Sequence, residues 1–452
     1  VGLSGKSGRE LASRTLGRVA KQYPALGPTV MDLDDAIEPR DRRLALAITR
    51  TALQRWITIE YLLDRVLDKP MHLLEPALRG VLLSAGAQLV FMDRLPAHAV
   101  VDESVELGGR LVRAGAKGLI NAVLRRLTGI VSGCQADQQW SPAADRLPLD
   151  HGSVKLSEPY LPDPGDDLEA HLEVATSHPR RLIRRLVGQF GPEQVIGICR
   201  CGVRTPARMV AVEDGFVRDD SKGIWRPHEQ DGFIEWLGEP ETPTKTLTEF
   251  LAGHLVRRVQ DPGAARPVQA TGEMQPETII DLCAGRGTKT VQCAALHRSA
   301  RIWASDANSD RLDDLKQVAA LTGMERVKVM TMGQLIAQAG SEPVDLVMAD
   351  VPCTNTAVLS RRPEARYRFS DKTLRQLVEK QQKILDQAAA LVRPGGHLLY
   401  STCSLLQQEN QDQAQRLCER AEMRIVAQEQ ALPRGVESTH IDGGYFALLQ
   451  KN

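Results

Sequence analysis

Two cysteines stand where a thiol can do chemistry. Cys353 closes Ala349-Asp350-Val351-Pro352-Cys353, and Cys403 lies in Tyr400-Ser401-Thr402-Cys403-Ser404. Each string follows a short apolar run that reads as a β-strand, so both thiols fall at the carboxyl edge of a sheet, where open α/β folds bind ligands. A thiolate at such an edge is a nucleophile that can replace one hard step with two easier ones. A third string, Cys283-Ala284-Gly285-Arg286-Gly287-Thr288-Lys289-Thr290, joins a strand to a helix. Its glycines suit close approach of the backbone to a cofactor, and they equally suit plain turn geometry. The loop lacks the spacing G-x-x-x-x-G-K-[ST], which disfavours a phosphate cradle. Asp306 ends the next strand, where a carboxylate can accept both hydroxyl hydrogens of a ribose.

Of the eight cysteines, Cys134, Cys199, Cys201 and Cys418 read as small buried hydrophobes. No disulfide is expected, because the chain shows no export signal. Cys199-Arg200-Cys201 has no second half, so no metal site is expected either.

The elements that must position these residues follow from periodicity. Residues 1–130 read as an all-helical bundle, with Leu44-x-x-Ala47-Ile48-x-x-Thr51-Ala52 and Leu78-x-x-Val81-Leu82-x-x-Ala85 at helical spacing and breaks at Pro70 and Pro96. Residues 131–170 turn to Gly, Pro, Asp, Ser and Gln, the composition of a linker or mobile arm. In residues 171–259 an amphipathic helix around Leu182-Ile183-x-x-Leu186-Val187 and a strand at Arg208–Val212 predict a small α+β module. From 260 to 452 strands and helices alternate. Strands are expected at Thr278–Leu282, Arg301–Asp306, Val327–Met330, Val344–Asp350 and Gly396–Ser401, and helices at Thr288–Leu296, Ser309–Leu321 and Asp371–Leu391. Alternation of this kind predicts a doubly wound, mostly parallel sheet.

Bulk properties exclude several classes. With 42% hydrophobic and 25% charged residues the chain is neither disordered nor fibrous. No run approaches the roughly 20 apolar residues of a membrane helix, and a cytoplasmic protein is expected. Lys+Arg and Asp+Glu balance at 57 each, so total charge says nothing about a polyanionic partner. Local clusters do: Arg40-Asp41-Arg42-Arg43, Arg125-Arg126, Arg180-Arg181 with Arg184-Arg185, and Arg361-Arg362 with Arg366 and Arg368, offset by Asp166-Asp167 and Asp219-Asp220. Such patches can track phosphates, and each alone can equally be a solvated helix face.

The C-terminal strings resemble the bacterial ribosomal RNA 5-methylcytosine methyltransferases of the Fmu/Sun type. Asp281-Leu282-Cys283-Ala284, Lys289-Thr290, Asp350-Val351-Pro352-Cys353, Pro394-Gly395-Gly396, Ser401-Thr402-Cys403-Ser404 with Glu409-Asn410, and Asp442-Gly443-Gly444-Tyr445-Phe446 carry the likeness. Asp41-Arg42-Arg43, Pro96–Glu103 and Lys117–Arg125 resemble the NusB-like RNA-binding domain of those enzymes. The resemblance implies a multidomain chain: an all-α NusB-like bundle, a small α+β RNA-binding module and an α/β Rossmann-like methyltransferase domain.

It also implies S-adenosylmethionine as cofactor and RNA, most of all small-subunit ribosomal RNA, as partner. Cys403 would be the nucleophile, Cys353 would act in product release, and Asp350 would meet the cytosine edge and border the cofactor. Cys283, Ala284, Gly285, Arg286, Gly287, Thr288 and Lys289 would line the methionine end, with Asp306 on the ribose. Arg42, Arg43, Lys117, Arg125, Arg361 and Arg362 would contact RNA. Two positions depart from the family: Gly285–Lys289 stands where it has Ala-Pro-Gly-Gly-Lys, and Met332 stands where it has an aspartate facing the adenine. A second reading makes the chain a catalytically impaired relative that serves as an RNA-binding assembly or antitermination factor.

Overall fold

The computed structural model describes residues 7–27, 31, 37–93, 95–135, 139–213, 216, 223–238, 243–254, 256–321 and 325–452. Asp219 and Asp220 lie outside these residues. The chain divides into two compact units, Val1–Thr205 with Leu359–Ser370, and Pro206–Val358 with Asp371–Asn452.

The N-terminal unit is helical as its periodicity predicts, with helices at Gly8–Ala20, Pro39–Gln54, Trp56–Asp64, Pro76–Phe91, Ala97–Leu111 and Ala116–Ile130. Pro96 directly precedes a helix, and Pro70 precedes the single turn Met71–Leu73. Each imposes the break where its ring cannot continue a helix. The helices Gly8–Ala20 and Pro76–Phe91 meet through glycines: a Cβ built on Gly80 would lie 2.3 Å from Ser13 O and 2.5 Å from Gly17 N. Only the absence of a side chain permits that approach.

The stretch 131–170, expected to be a linker, instead carries a small sheet among its described residues. Strands β1 (Val131–Gln135), β2 (Arg146–Pro148) and β3 (Ser153–Leu156) form an antiparallel sheet in the order β1-β3-β2. Its strands span three to five residues between turn-rich segments, so the composition reads as loop. What orders it is burial of Trp140, Leu147, Val154, Leu156 and Leu161. The expected α+β module at 171–259 is likewise divided. Helices Leu168–Thr176, Arg180–Phe190 and Pro192–Gly202 belong to the N-terminal unit. Strands β4 (Met209–Ala211), β5 (Trp225–Pro227), β6 (Phe233–Trp236) and β7 (Arg258–Val259) form a small sheet, order β5-β6-β4-β7, in the C-terminal unit.

That unit is built on β8 (Thr278–Asp281), β9 (Arg301–Ala304), β10 (Val327–Val329), β11 (Leu346–Asp350), β12 (His397–Thr402), β13 (Met423–Ala431) and β14 (Gly444–Lys451). They lie in the order β10-β9-β8-β11-β12-β14-β13, the first five parallel and β14 antiparallel to both its neighbours. Both faces are covered. Ile280, Val347, Ala349, Leu398 and Tyr400 pack with Leu385 and Ala388 on one side. Ile279, Leu346, Met348 and Leu399 pack with Val291 and Ala294 on the other. Burial on both faces explains why the parallel strands read as continuous apolar runs rather than alternating ones. The strand order reverses at β8, so a crevice opens beyond the carboxyl ends of β8 and β11.

Gly80→Ala should destabilise the N-terminal unit by about 1–3 kcal/mol, because the new methyl meets backbone atoms that have no rotamer to yield. A thermal melt of the variant that matches wild type would show that the two helices can move apart freely.

Candidate active site

The site forms at the carboxyl ends of β8, β9, β11 and β12. Asp281 ends β8 fully inside the protein and accepts from Thr290 Oγ1 at 2.7 Å. Burial is the main reason its carboxyl is pushed up to about 7, with nearby Asp350 adding and Thr290 opposing. The loop that follows turns on two glycines of positive φ, Gly285 at 57° and Gly287 at 86°. A Cβ on Gly287 would fall 2.4 Å from Leu315 Cδ1, whereas one on Gly285 would meet nothing within 4 Å. Gly287 is therefore needed for packing as well as for φ, and Gly285 leaves one side of the loop open. Asp306 follows β9; its Oδ2 accepts from Gly285 N at 3.0 Å and its Oδ1 from Asn308 N at 2.9 Å. Burial first, then the charges of Asp281, Asp350 and Asp306, push the Cys283 thiol up to about 12, which makes it a poor nucleophile.

Asp350 pairs in register with Ser401 across β11 and β12. Ser401 Oγ donates to its Oδ1 at 2.8 Å, and Lys289 Nζ, from the helix after the glycine loop, lies 2.7 Å from its Oδ2. Burial pulls the ammonium of Lys289 down, but Asp350 most of all, then Cys403 and Asp281, more than offset it and leave the group raised and charged. Because the two strands run side by side, the residues beyond them meet too. Cys353 Sγ and Cys403 Sγ are 3.1 Å apart. Cys353 is buried and Cys403 partly exposed. The Cys353 thiol is pushed well above the usual range by its contact with Cys403 and by burial.

Buried Glu409 holds both loops. Its Oε1 accepts from Thr354 N at 3.0 Å and from Gln381 Nε2 at 2.9 Å, and its Oε2 from the hydroxyls of Thr354 and Ser404. Asn410 beside it accepts from Thr402 Oγ1 at 2.6 Å and donates to Ser404 O at 2.9 Å.

Known proteins resemble both parts of the chain. Residues 270–441 match the family model of 16S rRNA methyltransferase RsmB/F, and residues 6–129 match that of the NusB family. The ribosomal RNA small subunit methyltransferases B of Salmonella heidelberg (strain SL476) and Salmonella agona (strain SL483) are each 26% identical over 460 residues, spanning 98% of this chain and 98% of theirs. Residues 270–441 thus form a segment of the RsmB/F methyltransferase type, and residues 6–129 a helical domain of the NusB type. The crystal structure of PH0851 shares the fold at a TM-score of 0.68 and 19% identity, over 98% of this chain and 99% of that one. A methyltransferase homologue from Pyrococcus horikoshii does so at 0.51 and 20%, over 63% of this chain and 99% of its own.

Measured against the RsmB/F pattern, the two departures take definite positions. Arg286 points outward, 83% exposed at its side chain, and pairs with Asp314 at 3.3 Å, so its bulk does not fill the loop. Met332 starts the helix Met332–Ala339 and packs against the apolar core with Met330 and Cys283.

Arg42, Arg43, Lys117, Arg125, Arg361 and Arg362 all fall in the N-terminal unit. Arg43, Arg125 and Arg362 are exposed and the other three partly so. Lys117 Nζ is 2.8 Å from Glu106 and Arg125 Nε is 2.9 Å from Asn121 Oδ1. Other basic clusters are structural. Arg366 is fully buried and donates to the carbonyls of Gln54, Thr176, Gly202 and Leu359. Arg180 and Arg184 pair with Glu169, and Arg180 also with Asp167. Cys134, expected inside, is exposed on β1, while Cys199 and Cys201 are buried and Cys418 is partly so.

The sequence reading passed over Asn355, Gln381, and a buried cluster of Asp261, His440 and Asp442 whose ligating atoms lie within 4.8 Å of one another. In that cluster His440 Nε2 is 2.9 Å from Asp442 Oδ1, and Asp261 Oδ1 accepts from Gly263 N and Asp442 N, both at 2.8 Å. Asp261 thus caps the helix Pro262–Gln269 and ties it to the start of β14. His440-Ile441-Asp442 was visible as a short string; the partner 181 positions away was not.

Asp281 sets a pH dependence. Its folded value, about 7, lies above the ordinary carboxylate value of about 4, so its contribution is fully present below about pH 4 and is lost as pH rises towards 7. Relative to Asp281→Asn, the wild type should lose on the order of 1 kcal/mol per pH unit across that window. Urea midpoints of the two proteins from pH 5 to 7.5 check this; parallel curves would contradict it.

Proposed function

We propose that the chain transfers a methyl group from S-adenosylmethionine to carbon-5 of a cytosine in RNA, with small-subunit ribosomal RNA as the substrate. The observation that carries this reading is the pair of thiols, 3.1 Å apart, at adjoining strand ends beside the glycine loop. The Salmonella relatives, named for methylation of small-subunit ribosomal RNA, support the choice of RNA.

The cofactor residues fit that ligand. Each Asp306 oxygen carries one backbone donor and keeps a lone pair for a ribose hydroxyl. The open side of Gly285 admits close approach to the loop backbone. Cys283, Ala284, Gly285, Arg286, Gly287, Thr288 and Lys289 would line the methionine end, and Asp350 would border both ligands. When bound, the sulfonium supplies an electrophilic methyl group.

The chain's own residues supply the rest. Carbon-5 of cytosine is a weak nucleophile until a thiolate adds to carbon-6 and turns the ring into an enamine. Cys403, the more accessible thiol, makes that bond. Asp350, held by Lys289 and Ser401, accepts from the amino group on the cytosine edge beside nitrogen-3 and orients the ring, while the Lys289 ammonium next to it offsets the negative charge that develops there. Loss of the carbon-5 proton to solvent, with its electron pair re-forming the carbon-5 to carbon-6 double bond as the Cys403 thiolate departs, restores the ring. Cys353, which its contact with Cys403 and burial keep protonated, donates a hydrogen bond to the departing sulfur. The base must leave its stack or lie in a loop for this to happen. Arg42, Arg43, Lys117, Arg125, Arg361 and Arg362 serve as phosphate contacts.

Asp306→Ala should weaken S-adenosylmethionine binding about tenfold to a hundredfold, the loss of charge-assisted hydrogen bonds. Calorimetry is the measurement, and no binding to the wild type at millimolar ligand would instead favour an assembly or antitermination factor.

The two thiols should separate in time. Cys403→Ala should abolish methylation and any covalent adduct, whereas Cys353→Ala should leave RNA trapped on the protein. A denaturing gel with radiolabelled RNA and S-adenosylmethionine reads both. An adduct with Cys403→Ala and none with Cys353→Ala would reverse the assignment.

A further inference from the structure

Asn355 stands two residues beyond Cys353 with φ at 60°, a conformation that asparagine tolerates better than most residues. Its amide spans the two cysteines: Nδ2 donates to Cys353 O at 2.9 Å, and Oδ1 lies 3.1 Å from Cys403 Sγ. The direction of each bond follows from chemistry. A backbone carbonyl only accepts, so the amide nitrogen must face Cys353 O and the amide oxygen must face the sulfur. That oxygen only accepts as well, so the single S–H of Cys403 points at Asn355. The proton in the contact between the sulfurs therefore belongs to Cys353. The bonds close into a ring from Cys353 S–H to Cys403, from Cys403 S–H to Asn355, and from Asn355 back to the Cys353 carbonyl.

We propose that Asn355 is a positioning residue that holds Cys403 as a directed, protonated thiol at rest, with Cys353 as the donor that steadies the thiolate once it forms. A hydrogen bond to the neutral form disfavours the charged one, and the amide oxygen's lone pairs repel a thiolate. Cys353 acts with the opposite sign, since a neutral S–H favours the anion that it faces. The other groups around the pair are Lys289, paired with Asp350 and attracted by Cys403, Asp281 behind them, and Glu409 beyond Cys353. None of these contacts Asn355 through a hydrogen bond described above, so replacing the amide leaves them in place. This role presupposes Cys403 as the nucleophile, whereas titration of the thiol reads Cys403 without methyl transfer and fails or holds independently of it.

The test is the pH dependence of Cys403 alkylation by iodoacetamide in the full chain, followed on the Cys403 peptide by mass spectrometry. Glycine accepts positive φ, so Asn355→Gly removes the amide without straining the backbone. Its midpoint should fall by about half to one pH unit, making alkylation below the midpoint about threefold to tenfold faster. Asn355→Asp, which sets a carboxylate against the sulfur, should raise the midpoint, and Cys353→Ala should raise it too. A residue that merely shapes the loop would change the rate at every pH and leave the midpoint alone. An unchanged or raised midpoint in Asn355→Gly, or a lowered one in Asn355→Asp, overturns the assignment.

Discussion

Glu409 is the post to which both halves of the site are tied. A carboxylate buried without partners is costly enough to neutralise itself or disrupt its surroundings. Here four donors face it: the backbone N–H and hydroxyl of Thr354, the hydroxyl of Ser404, and the amide of Gln381. Thr354 directly follows Cys353 and Ser404 directly follows Cys403, so one side chain fixes the loops of both thiols. Gln381 also donates to Pro352 O at 3.0 Å, which anchors the first loop to the long helix Asp371–Leu391. Each of these buried donors would cost about 1–3 kcal/mol if left without an acceptor, so the network resists partial disruption. That resistance lets two sulfurs 50 residues apart in sequence stay 3.1 Å apart in space.

The parallel sheet supplies the other half of the constraint. The lateral order β8-β11-β12 brings three strand ends together, with β11 in the middle. Asp350 therefore receives Lys289 from the β8 side and Ser401 from the β12 side, and neither interaction depends on a long flexible loop. A carboxylate so held has both oxygens oriented before any ligand arrives, which is the preorganisation that electrostatic catalysis needs. The thiols sit one turn of chain beyond this pair and inherit its register.

The chain is not a string of separate modules. The loop bearing Cys353 runs on into Leu359–Ser370, which folds with the N-terminal unit. There Arg366 donates to four main-chain carbonyls while fully buried, and Tyr367 Oη donates to Leu53 O at 2.6 Å. A guanidinium buried at that depth is tolerable because both of its terminal nitrogens find carbonyl oxygens, although its Nε–H has no partner. Charge clustering alone placed Arg366 with surface arginines, because a sequence does not reveal which cation meets carbonyls and which meets water.

The local record determined a good deal. Helical periodicity in residues 1–130, the parallel strands, Asp306 at a strand end, and the Pro-Cys and Thr-Cys pair were legible because each depends on neighbours within one element. The sheet at 131–156 was not, because its strands span only three to five residues and are held by burial of Trp140, Leu147 and Val154. Nor were the unit boundaries, which depend on contacts between distant segments. Asn355 shows the limit most plainly. In sequence it is a polar residue two places after a cysteine; only the approach of β12 brings Cys403 against its amide and gives its oxygen something to accept. Residue type and spacing thus determined which groups could react, and the tertiary structure decided which of them share protons, because a hydrogen bond is set by distance and direction in space.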